Sequence, residues 1–421
     1  MFYLLAFWIF VTVPALAIMA RYDWNYTSLI RFGHRYVEQN TRFTPEGAVR
    51  LLGNEKFGGN GYDGQIFYYY ARTLFEPRTW PNGFSNAYRA PRVGYPVLTA
   101  PFSVFGNSGV AIGMILVQLG ATSAAIYCLF LLLPAERRPL ITLFAFSPFL
   151  LQSMLFLVSD SVMVSLFLLG WFFFQKRTRP GTFLSLFFFS LAVLTKESSL
   201  FLLFPLGLWA VLRRDVRLAA LLLGALVPMA AWQFYLFRAH GMVPASILSI
   251  FLSPLSGIRG VLAQTIEMIR TDASVGELAR HAAKLFLIII LPLGIWAAIA
   301  RLQLPVNFRG ILTRLREPGV PFRAGALLVI LSVLIADFQY FWGIFENVGR
   351  MFTALIPAII LARGIETSHT SGSQNWDRSL AIFGFAILTL SAIVWLRFVF
   401  LTPAFPFDVF QPYSGPHYLV P

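Results

Sequence analysis

Long uncharged apolar runs alternate along the chain with shorter polar connections. The runs fall at about 2–20, 108–133, 140–157, 161–175, 181–194, 199–212, 218–237, 285–300, 324–336, 351–362 and 379–396. A helix needs ~20 residues to cross the hydrocarbon core of a bilayer, so the shorter runs have to take in flanking residues or lie partly inside a bundle. The pattern predicts an all-α fold, a polytopic membrane helix bundle of about 11 spans, in which residues 1–421 form a single integral membrane domain. The first run ends in ALAIMA, which resembles a signal-peptide cleavage site, but no basic region precedes it, so we expect it to remain as a span.

Two connections are much longer than the others. Residues 21–107 are polar and rich in aromatic residues, and residues 238–284 form the second long connection. We interpret them as the first and second external loops, the first carrying interfacial helices. Within it, the sequence QIFYYYARTLF (65–75) is typical of an amphipathic helix that lies in the membrane interface with its aromatic rings at headgroup depth.

Positive charge marks every second connection. Three of the basic connections are short, at 134–139, 176–180 and 213–217, and the fourth contains Arg301, Arg309, Arg314, Arg316 and Arg323. Cytoplasmic loops carry an excess of Lys and Arg, so these four connections and the N-terminus are predicted to be cytoplasmic. The connections that alternate with them, at 159–160, 195–198, 238–284 and 342–350, are then predicted to be external. Residues 21–107 and the C-terminal tail are predicted to be external as well. Arg21 and Arg31 follow the first run and disagree with this assignment, but long loops largely escape the charge rule.

The composition agrees with a membrane protein and argues against a nucleic-acid partner. The chain is 57% hydrophobic and 12% charged, with a mean hydropathy of +0.69, whereas a soluble domain carries about 25% charged residues. The net charge is +14. The Lys and Arg residues lie in short clusters between apolar runs, which suits anionic lipid headgroups better than a nucleic-acid-binding face. The single cysteine, Cys128, lies in an apolar run, and no Cys/His spacing indicates zinc.

Asp63 is the first candidate for chemistry on the predicted external side. It lies among glycines that let the backbone bend and approach a ligand closely, at positions Gly58, Gly59, Gly61 and Gly64. A carboxylate in such a loop at the membrane surface suits a general base. It also suits an ordinary turn, where an Asp side chain bonds to its own backbone, and the residues alone favour this second interpretation.

Other charged residues on that side have two interpretations each. Lys196 and Glu197 form either a loop ion pair or a phosphate-binding lysine held by the glutamate. Arg350 is either a snorkelling interface anchor or a bidentate phosphate ligand. Arg89 and Arg92 bind either lipid headgroups or that phosphate, and Asp160 either caps a helix or supports the site. Asp337 and Glu346 flank a short outer turn close to Arg350.

Two sequence segments resemble a known family. The segment YDGQIFYYYARTLF (62–75), followed by YRAPRVGYPVL (88–98), is similar to bacterial cell-surface glycopolymer proteins of the GT-C superfamily of membrane glycosyltransferases. LTKES (194–198) and NVGRMFTALIP (347–357) match more loosely. The chain departs from the protein O-mannosyltransferases of that superfamily, because Gly64 follows Asp63 where they have a second acid, and no large soluble domain follows the spans.

The resemblance implies an enzyme that moves a sugar from a polyprenyl-phosphate donor to a lipid, glycan or protein acceptor, with inversion of configuration. Asp63 would be the general base. The donor phosphate would bind Lys196, Arg350, Arg89 and Arg92, with Asp160, Glu197 and Glu346 as supporting acids. No metal ligand is assigned, although some relatives use a divalent cation. The implied location is a bacterial inner membrane with the active site on its periplasmic face.

Two other functions fit a chain of this kind. A multi-pass transporter or flippase of a lipid-linked saccharide is compatible with prolines in several apolar runs, at Pro205, Pro228, Pro292 and Pro357, because proline can break membrane helices. Transporters usually also show repeated halves and charges near the membrane midplane, and neither is evident here. A surface-polysaccharide polymerase or ligase would place its long external loop late in the chain.

Overall fold

The computed structural model describes residues 2–51, 61–76, 80–84, 86–243, 254–270, 275–300, 313, 315–365, 378–401 and 418–419. The described chain is almost entirely helical. In chain order its α-helices are α1 (Phe2–Ala20), α2 (His34–Gln39), α3 (Gly64–Thr73), α4 (Asn86–Arg89), α5 (Gly94–Thr99), α6 (Gly106–Leu132), α7 (Ile141–Ala145), α8 (Pro148–Leu155), α9 (Asp160–Gln175), α10 (Arg179–Thr195), α11 (Leu200–Arg213), α12 (Val216–His240), α13 (Ser256–Ile269), α14 (Val275–Ile299), α15 (Val320–Ile335), α16 (Phe345–Met351), α17 (Leu355–Gly364) and α18 (Arg378–Leu396). A small sheet joins β1 (Phe32–Gly33) in parallel to β2 (Arg50–Leu51), which pairs antiparallel with β3 (Tyr418–Leu419).

Each apolar run of the sequence lies on one or two of these helices. Within the described residues, six helices are long and apolar enough to cross a membrane, or seven if the bent pair Ala135–Ala145 and Pro148–Leu155 is one span. The helices α9, α10 and α15 are also apolar but shorter. The prediction of a polytopic helical membrane protein is therefore confirmed at this level, and the count of eleven spans stays a prediction.

Burial explains how short apolar helices fit into the bundle. The 16 residues of α9 extend only ~24 Å at 1.5 Å per residue, against a hydrocarbon core of ~30 Å. All of its residues except Phe173 and Gln175 are buried, and the ring of Trp171 lies 4.9 Å from that of Phe322 on α15. Other helices surround α9, so its length need not match the thickness of a bilayer.

The helix ends that the charge pattern assigns to one side of the membrane contact each other. On the basic side, the Arg316 guanidinium donates to the carbonyl of Leu212 at 3.1 Å. On the other side, the Arg350 guanidinium donates to Asp160 at 3.0 Å. Each of these two contacts joins connections that the alternation assigns to the same side, and the choice of the external side stays a prediction. Three arginines of the basic set lie outside the described residues: Arg301, Arg309 and Arg314.

The first long connection contains the predicted helix, as α3, but its aromatic rings pack into the protein. Tyr68 and Tyr69 are fully buried, and both lie edge-on to the ring of Phe32, at 5.0 and 5.6 Å. The expected contact with lipid headgroups is therefore wrong for these two rings. Close packing also explains Gly64, where a Cβ would lie 2.4 Å from the backbone oxygen of Phe156. Two glycines of the predicted loop, Gly58 and Gly59, lie outside the described residues.

The second long connection is more helical than its hydropathy predicts. α12 continues to His240, α13 follows, and α14 begins at Val275, well before the apolar run predicted from 285. The first turns of α14 carry Arg280 and Lys284, which are buried. Because these charges contact protein groups, the helix can extend through a stretch that hydropathy alone assigns to a loop. Residues 244–253 and 271–274 lie outside the described chain.

Candidate functional site

Five charged side chains form a line of alternating sign. Arg89 donates to Asp63 Oδ1 at 2.9 Å, and Arg350 donates to Asp63 Oδ2 at 2.9 Å. Arg350 also donates through Nε to Asp160 Oδ2 at 3.0 Å, and the Lys196 ammonium donates to Asp160 Oδ1. The five residues lie in or next to five different helices, and the line contains three cations and two carboxylates.

Local structure brings the two acids to helix starts. Asp63 directly precedes α3, and Asp160 is the first residue of α9. The N-terminus of a helix carries partial positive charge, which favours a carboxylate there. Neither acid caps its helix. Asp63 occupies the cap position of α3 but makes no capping bond, and the cap position of α9 is Ser159, one residue before Asp160. The capping interpretation of Asp160 is therefore wrong, because both of its carboxylate oxygens bind cations.

Arg350 lies at the centre of this line and is buried. Its side chain is 8% exposed, and besides the two acids it donates to the Tyr62 hydroxyl at 2.9 Å. That hydroxyl donates in turn to Asn347 at 2.8 Å, and burial raises the pKa of Tyr62 well above its usual range, so Tyr62 stays protonated. The snorkelling interpretation of Arg350 is wrong, because its guanidinium contacts protein acids and not the membrane interface. Sequence reasoning missed Tyr62, although it directly precedes Asp63.

Asp63 is ionised in this arrangement. Burial raises the pKa of its carboxyl, but Arg89 and Arg350 together lower that pKa by more, so that it lies well below its usual range. The side chain remains 27% exposed, and a ligand could reach it. Because both oxygens accept bonds from guanidinium groups, Asp63 is a weak base until at least one arginine is drawn away.

Lys196 and Glu197 do not bind each other. Glu197 accepts a bond from Arg92 Nε at 2.9 Å and a second from Arg92 Nη2, while Lys196 binds Asp160. The backbone explains this, since Lys196 is extended (φ −164°, ψ 133°) and Glu197 begins a short 3-10 turn. The expectation that Glu197 holds Lys196 is therefore wrong. Burial lowers the pKa of Lys196, Asp160 raises it, and the nearby Arg350 and Arg92 lower it, with a net decrease.

Arg89 and Arg92 both bind acids within the protein. The Arg89 side chain is 28% exposed and the Arg92 side chain 11% exposed. The guanidinium of Arg92 also lies 4.3 Å from the ring centroid of Tyr88. Arg89 is thus the more accessible of the two to an anion that approaches Asp63, and Arg92 binds Glu197.

Glu346 belongs to a second buried ion-pair network. It is fully buried and accepts a bond from Arg397 Nη2 at 2.6 Å. Nearby, the buried Lys284 donates to Gln264 Oε1 at 2.6 Å and to the carbonyl of Gly343 at 3.3 Å. Glu346 is one helical turn before Arg350 on α16, so this short helix contributes one residue to each network. The signal for Arg397 was its position at the end of the last apolar run, where an ionisable residue usually has a partner.

Glu346→Gln is expected to destabilise the protein strongly. It removes the carboxylate that Arg397 binds in the interior, and breaking a buried pair in this way costs roughly 3–5 kcal/mol. Thermal unfolding in detergent should show a clearly lower Tm. Glu38→Gln is the matched control, because the Glu38 side chain is 62% exposed and pairs with His34 at the surface, where ion pairs contribute only ~0–1 kcal/mol. Equal Tm values for the two variants would contradict the structural importance of the buried pair.

The two acids of the line do not fit a divalent cation in this arrangement. Mg²⁺ and Ca²⁺ need several oxygen ligands, whereas Asp63 and Asp160 are separated by the guanidinium that binds both. Among the described residues, no group of three His, Cys, Asp or Glu side chains could hold a metal ion. The arrangement suits an anion better, since it gathers three cations around two carboxylates.

No protein-family model matches the sequence, and no curated protein matches it.

Proposed function

We propose that this protein is a membrane glycosyltransferase of the GT-C type, which moves a sugar from a polyprenyl-phosphate donor to an acceptor hydroxyl. The observation that carries this proposal is the position of Asp63 between Arg89 and Arg350, with Lys196 linked to the same line through Asp160. A partly exposed carboxylate beside an excess of cations is what base-assisted attack on a phosphate-activated sugar requires. The proposal includes about eleven spans and an active site on the external face, which the charge pattern predicts. A bacterial inner membrane is the location that the resemblance to GT-C glycosyltransferases implies.

The first step of the proposed mechanism is binding of the donor phosphate. Its negative charge competes with Asp63 and Asp160 for Arg350, Arg89 and Lys196. Lys196 can take part because an ammonium has three N–H donors and Asp160 uses one of them. As guanidinium groups turn to the phosphate, they stabilise the Asp63 carboxylate less, so the pKa of Asp63 rises. Donor binding thereby converts a weak base into a stronger one.

The second step is transfer of the sugar. The Asp63 carboxylate takes the proton of the acceptor hydroxyl while the acceptor oxygen bonds to the anomeric carbon. The bond from that carbon to the phosphate oxygen breaks, and its electron pair leaves with the polyprenyl phosphate. Attack occurs on the face opposite the phosphate, so configuration inverts. Negative charge develops on the leaving phosphate, where Arg350 and Lys196 stabilise it.

Continuous helices favour a transferase over a transporter. Proline-broken helices are a common feature of transporters, but α11, α12 and α14 run through Pro205, Pro228 and Pro292 without interruption. Pro357 lies near the start of α17. Among the described helices, one apolar pair that could together form a single span is bent by more than 40°: Ala135–Ala145 and Pro148–Leu155, at 44°.

The direct test is to purify the protein in detergent, identify the lipid that copurifies, and incubate the protein with polyprenyl-phosphate sugars and candidate acceptors. Release of polyprenyl phosphate that depends on both substrates is the expected result. Movement of an intact lipid-linked saccharide across proteoliposomes, with no transfer product, would instead establish the transporter.

Lys196→Gln is expected to lower kcat about 10²- to 10³-fold, the usual cost of losing one donor to a developing oxyanion. Lys196→Arg keeps the charge and should retain more activity. Steady-state kinetics of the purified variants give the comparison. Lys176→Gln is the control, because Lys176 is exposed and lies in a connection predicted to be cytoplasmic. If Lys196→Gln turns over as fast as Lys176→Gln, Lys196 does not stabilise the leaving phosphate.

A further inference from the structure

A cavity of about 140 Å³ lies beside α3, between the residues around Trp80 and the C-terminal end of α12. An engineered cavity of about 150 Å³ is large enough to bind benzene, so this one has room for a single six-membered ring. Five aromatic rings and one acid form most of its wall: Tyr70, Trp80, Trp232, Tyr235, His240 and Glu76.

The rings of this cavity hold each other in place. The rings of Trp80 and Tyr70 meet edge to face, 5.5 Å apart. The indole N–H of Trp80 points to the imidazole of His240 and lies 3.0 Å from both ring nitrogens. Trp232 stacks on Tyr235 at 5.3 Å and donates its indole N–H to the carbonyl of Ala90 at 2.9 Å. A ligand would therefore meet a pocket that is already formed, which lowers the entropic cost of binding.

The lining favours an uncharged ligand with many hydroxyls. Aromatic faces pack well against the C–H faces of a pyranose ring, and the Tyr70 and Thr73 hydroxyls, the Glu76 carboxylate and the His240 imidazole can bond to its hydroxyls. Tyr70, Thr73 and Glu76 already have partners in the protein, but each oxygen keeps lone pairs that can accept a bond from a sugar hydroxyl and that an acyl chain would not use. Among the described lining residues there is no Lys or Arg, and the one acid, Glu76, is paired with Arg72 and Arg42, so the wall offers little attraction to a phosphate group.

The cavity is connected to Asp63 by two structural elements. Tyr70 follows Asp63 by seven residues, so it lies on the same face of α3, about 10 Å further along the axis. The Tyr70 hydroxyl bonds to Asn86 at the start of α4, and α4 ends at Arg89, which binds Asp63. Ala90 then lines the cavity. An oligosaccharide with its terminal hydroxyl at Asp63 could thus place an earlier sugar unit in the cavity.

We infer that this cavity is an acceptor subsite for a neutral pyranose unit, so that the acceptor is a glycan and not a protein. This inference rests on the proposed transferase function. Trp232 and Tyr235 lie near the end of a candidate span, where aromatic residues often form an interfacial belt. On the same helix, however, Phe234 and Phe237 are more than half exposed and are available for such a belt. Trp232 instead donates its indole N–H to the carbonyl of Ala90 within the protein.

The test measures binding separately from transfer. Purified protein in detergent is titrated with methyl glycosides and disaccharides of glucose, mannose and galactose, and with glycerophosphocholine and glycerophosphoglycerol as headgroup probes, using saturation-transfer NMR. At least one neutral saccharide is expected to bind, with affinity reduced tenfold or more by Trp80→Leu. Tyr235→Leu provides a second variant at a partly exposed position in case Trp80→Leu does not fold. Trp24→Leu, at a position 64% exposed, should bind like wild type.

Transfer assays then distinguish the two proposals. Trp80→Leu or Tyr235→Leu should raise the acceptor KM at least tenfold and leave kcat at saturating acceptor nearly unchanged. Transfer with an unaltered acceptor KM in both variants, or binding of the headgroup probes in place of saccharides, would overturn the subsite and leave the transferase intact. Saccharide binding that depends on Trp80, in a protein without transfer activity, would support a saccharide site and count against the transferase. Absence of saccharide binding to the wild-type protein would overturn the subsite.

Discussion

Asp63→Asn is expected to abolish most sugar transfer while the protein remains folded. An amide cannot take the proton of the acceptor hydroxyl, and loss of a general base typically costs 10²- to 10⁴-fold in rate. The fold should tolerate the change, because Arg350 keeps its bond to Asp160 and Arg89 is partly exposed. Because the lowered pKa of Asp63 means that its charge favours the folded state, we expect a large decrease in kcat together with a decrease in Tm that is smaller than that of Arg350→Ala.

The measurement is turnover of a polyprenyl-phosphate sugar by purified Asp63→Asn protein, with its thermal unfolding recorded in the same detergent. Asp23→Asn is the matched control. Asp23 is exposed near the end of α1 and has a positive φ of 53°, a conformation that asparagine tolerates well. Wild-type turnover by a folded Asp63→Asn protein would remove Asp63 from the role of base.

Arg350→Lys is expected to remove activity, and Arg350→Ala to remove both activity and stability. Lysine keeps the positive charge but lacks the planar fork that binds Asp63 and Asp160 together. Alanine leaves the two acids without their shared cation, and removal of one partner from a buried ion pair costs roughly 3–5 kcal/mol. We therefore expect a moderate decrease in Tm for Arg350→Lys, a large one for Arg350→Ala, and a loss of kcat of at least about 10²-fold in the lysine variant.

The Tm and kcat of both variants distinguish the effect of the positive charge at position 350 from the effect of the guanidinium geometry. Arg259→Lys, at an exposed position of α13, controls for arginine replacement in general. Wild-type kcat in Arg350→Lys would mean that only charge matters at this position. An unchanged Tm in Arg350→Ala would mean that the line of ion pairs does not stabilise the protein.

Helix positions were predictable from the sequence because burial in a bundle, like contact with lipid, selects uncharged apolar residues. All the apolar runs lie on helices, and the helix after Asp63 was predicted within about two residues. The number of membrane crossings was less predictable, because a buried helix such as α9 need not match the bilayer. The early start of α14 was missed for a related reason, since hydropathy does not distinguish a charge buried against protein, such as Lys284, from a charge in a loop.

The members of the candidate site were predictable, but their partners were not. Asp63, Asp160, Lys196 and Arg350 stood out as charges next to apolar runs on one predicted side. Local rules then suggested a cap for Asp160, a neighbouring partner for Lys196 and the membrane interface for Arg350. All three were wrong because contacts between distant segments override local preferences in the interior, as the 287-residue separation of Arg350 from Asp63 illustrates.

The five charged residues of this line are synthesised in a fixed order, because translation begins at the N-terminus of the chain. Each acid has one of its cationic partners close to it in sequence: Arg89 is 26 residues from Asp63, and Lys196 is 36 residues from Asp160. Both acids can therefore be neutralised as the first half of the chain enters the membrane. Arg350 emerges much later, 190 residues after Asp160, and joins two ion pairs that already exist. The cation that completes the site is thus the last to be synthesised, and assembly of the site waits for the C-terminal spans.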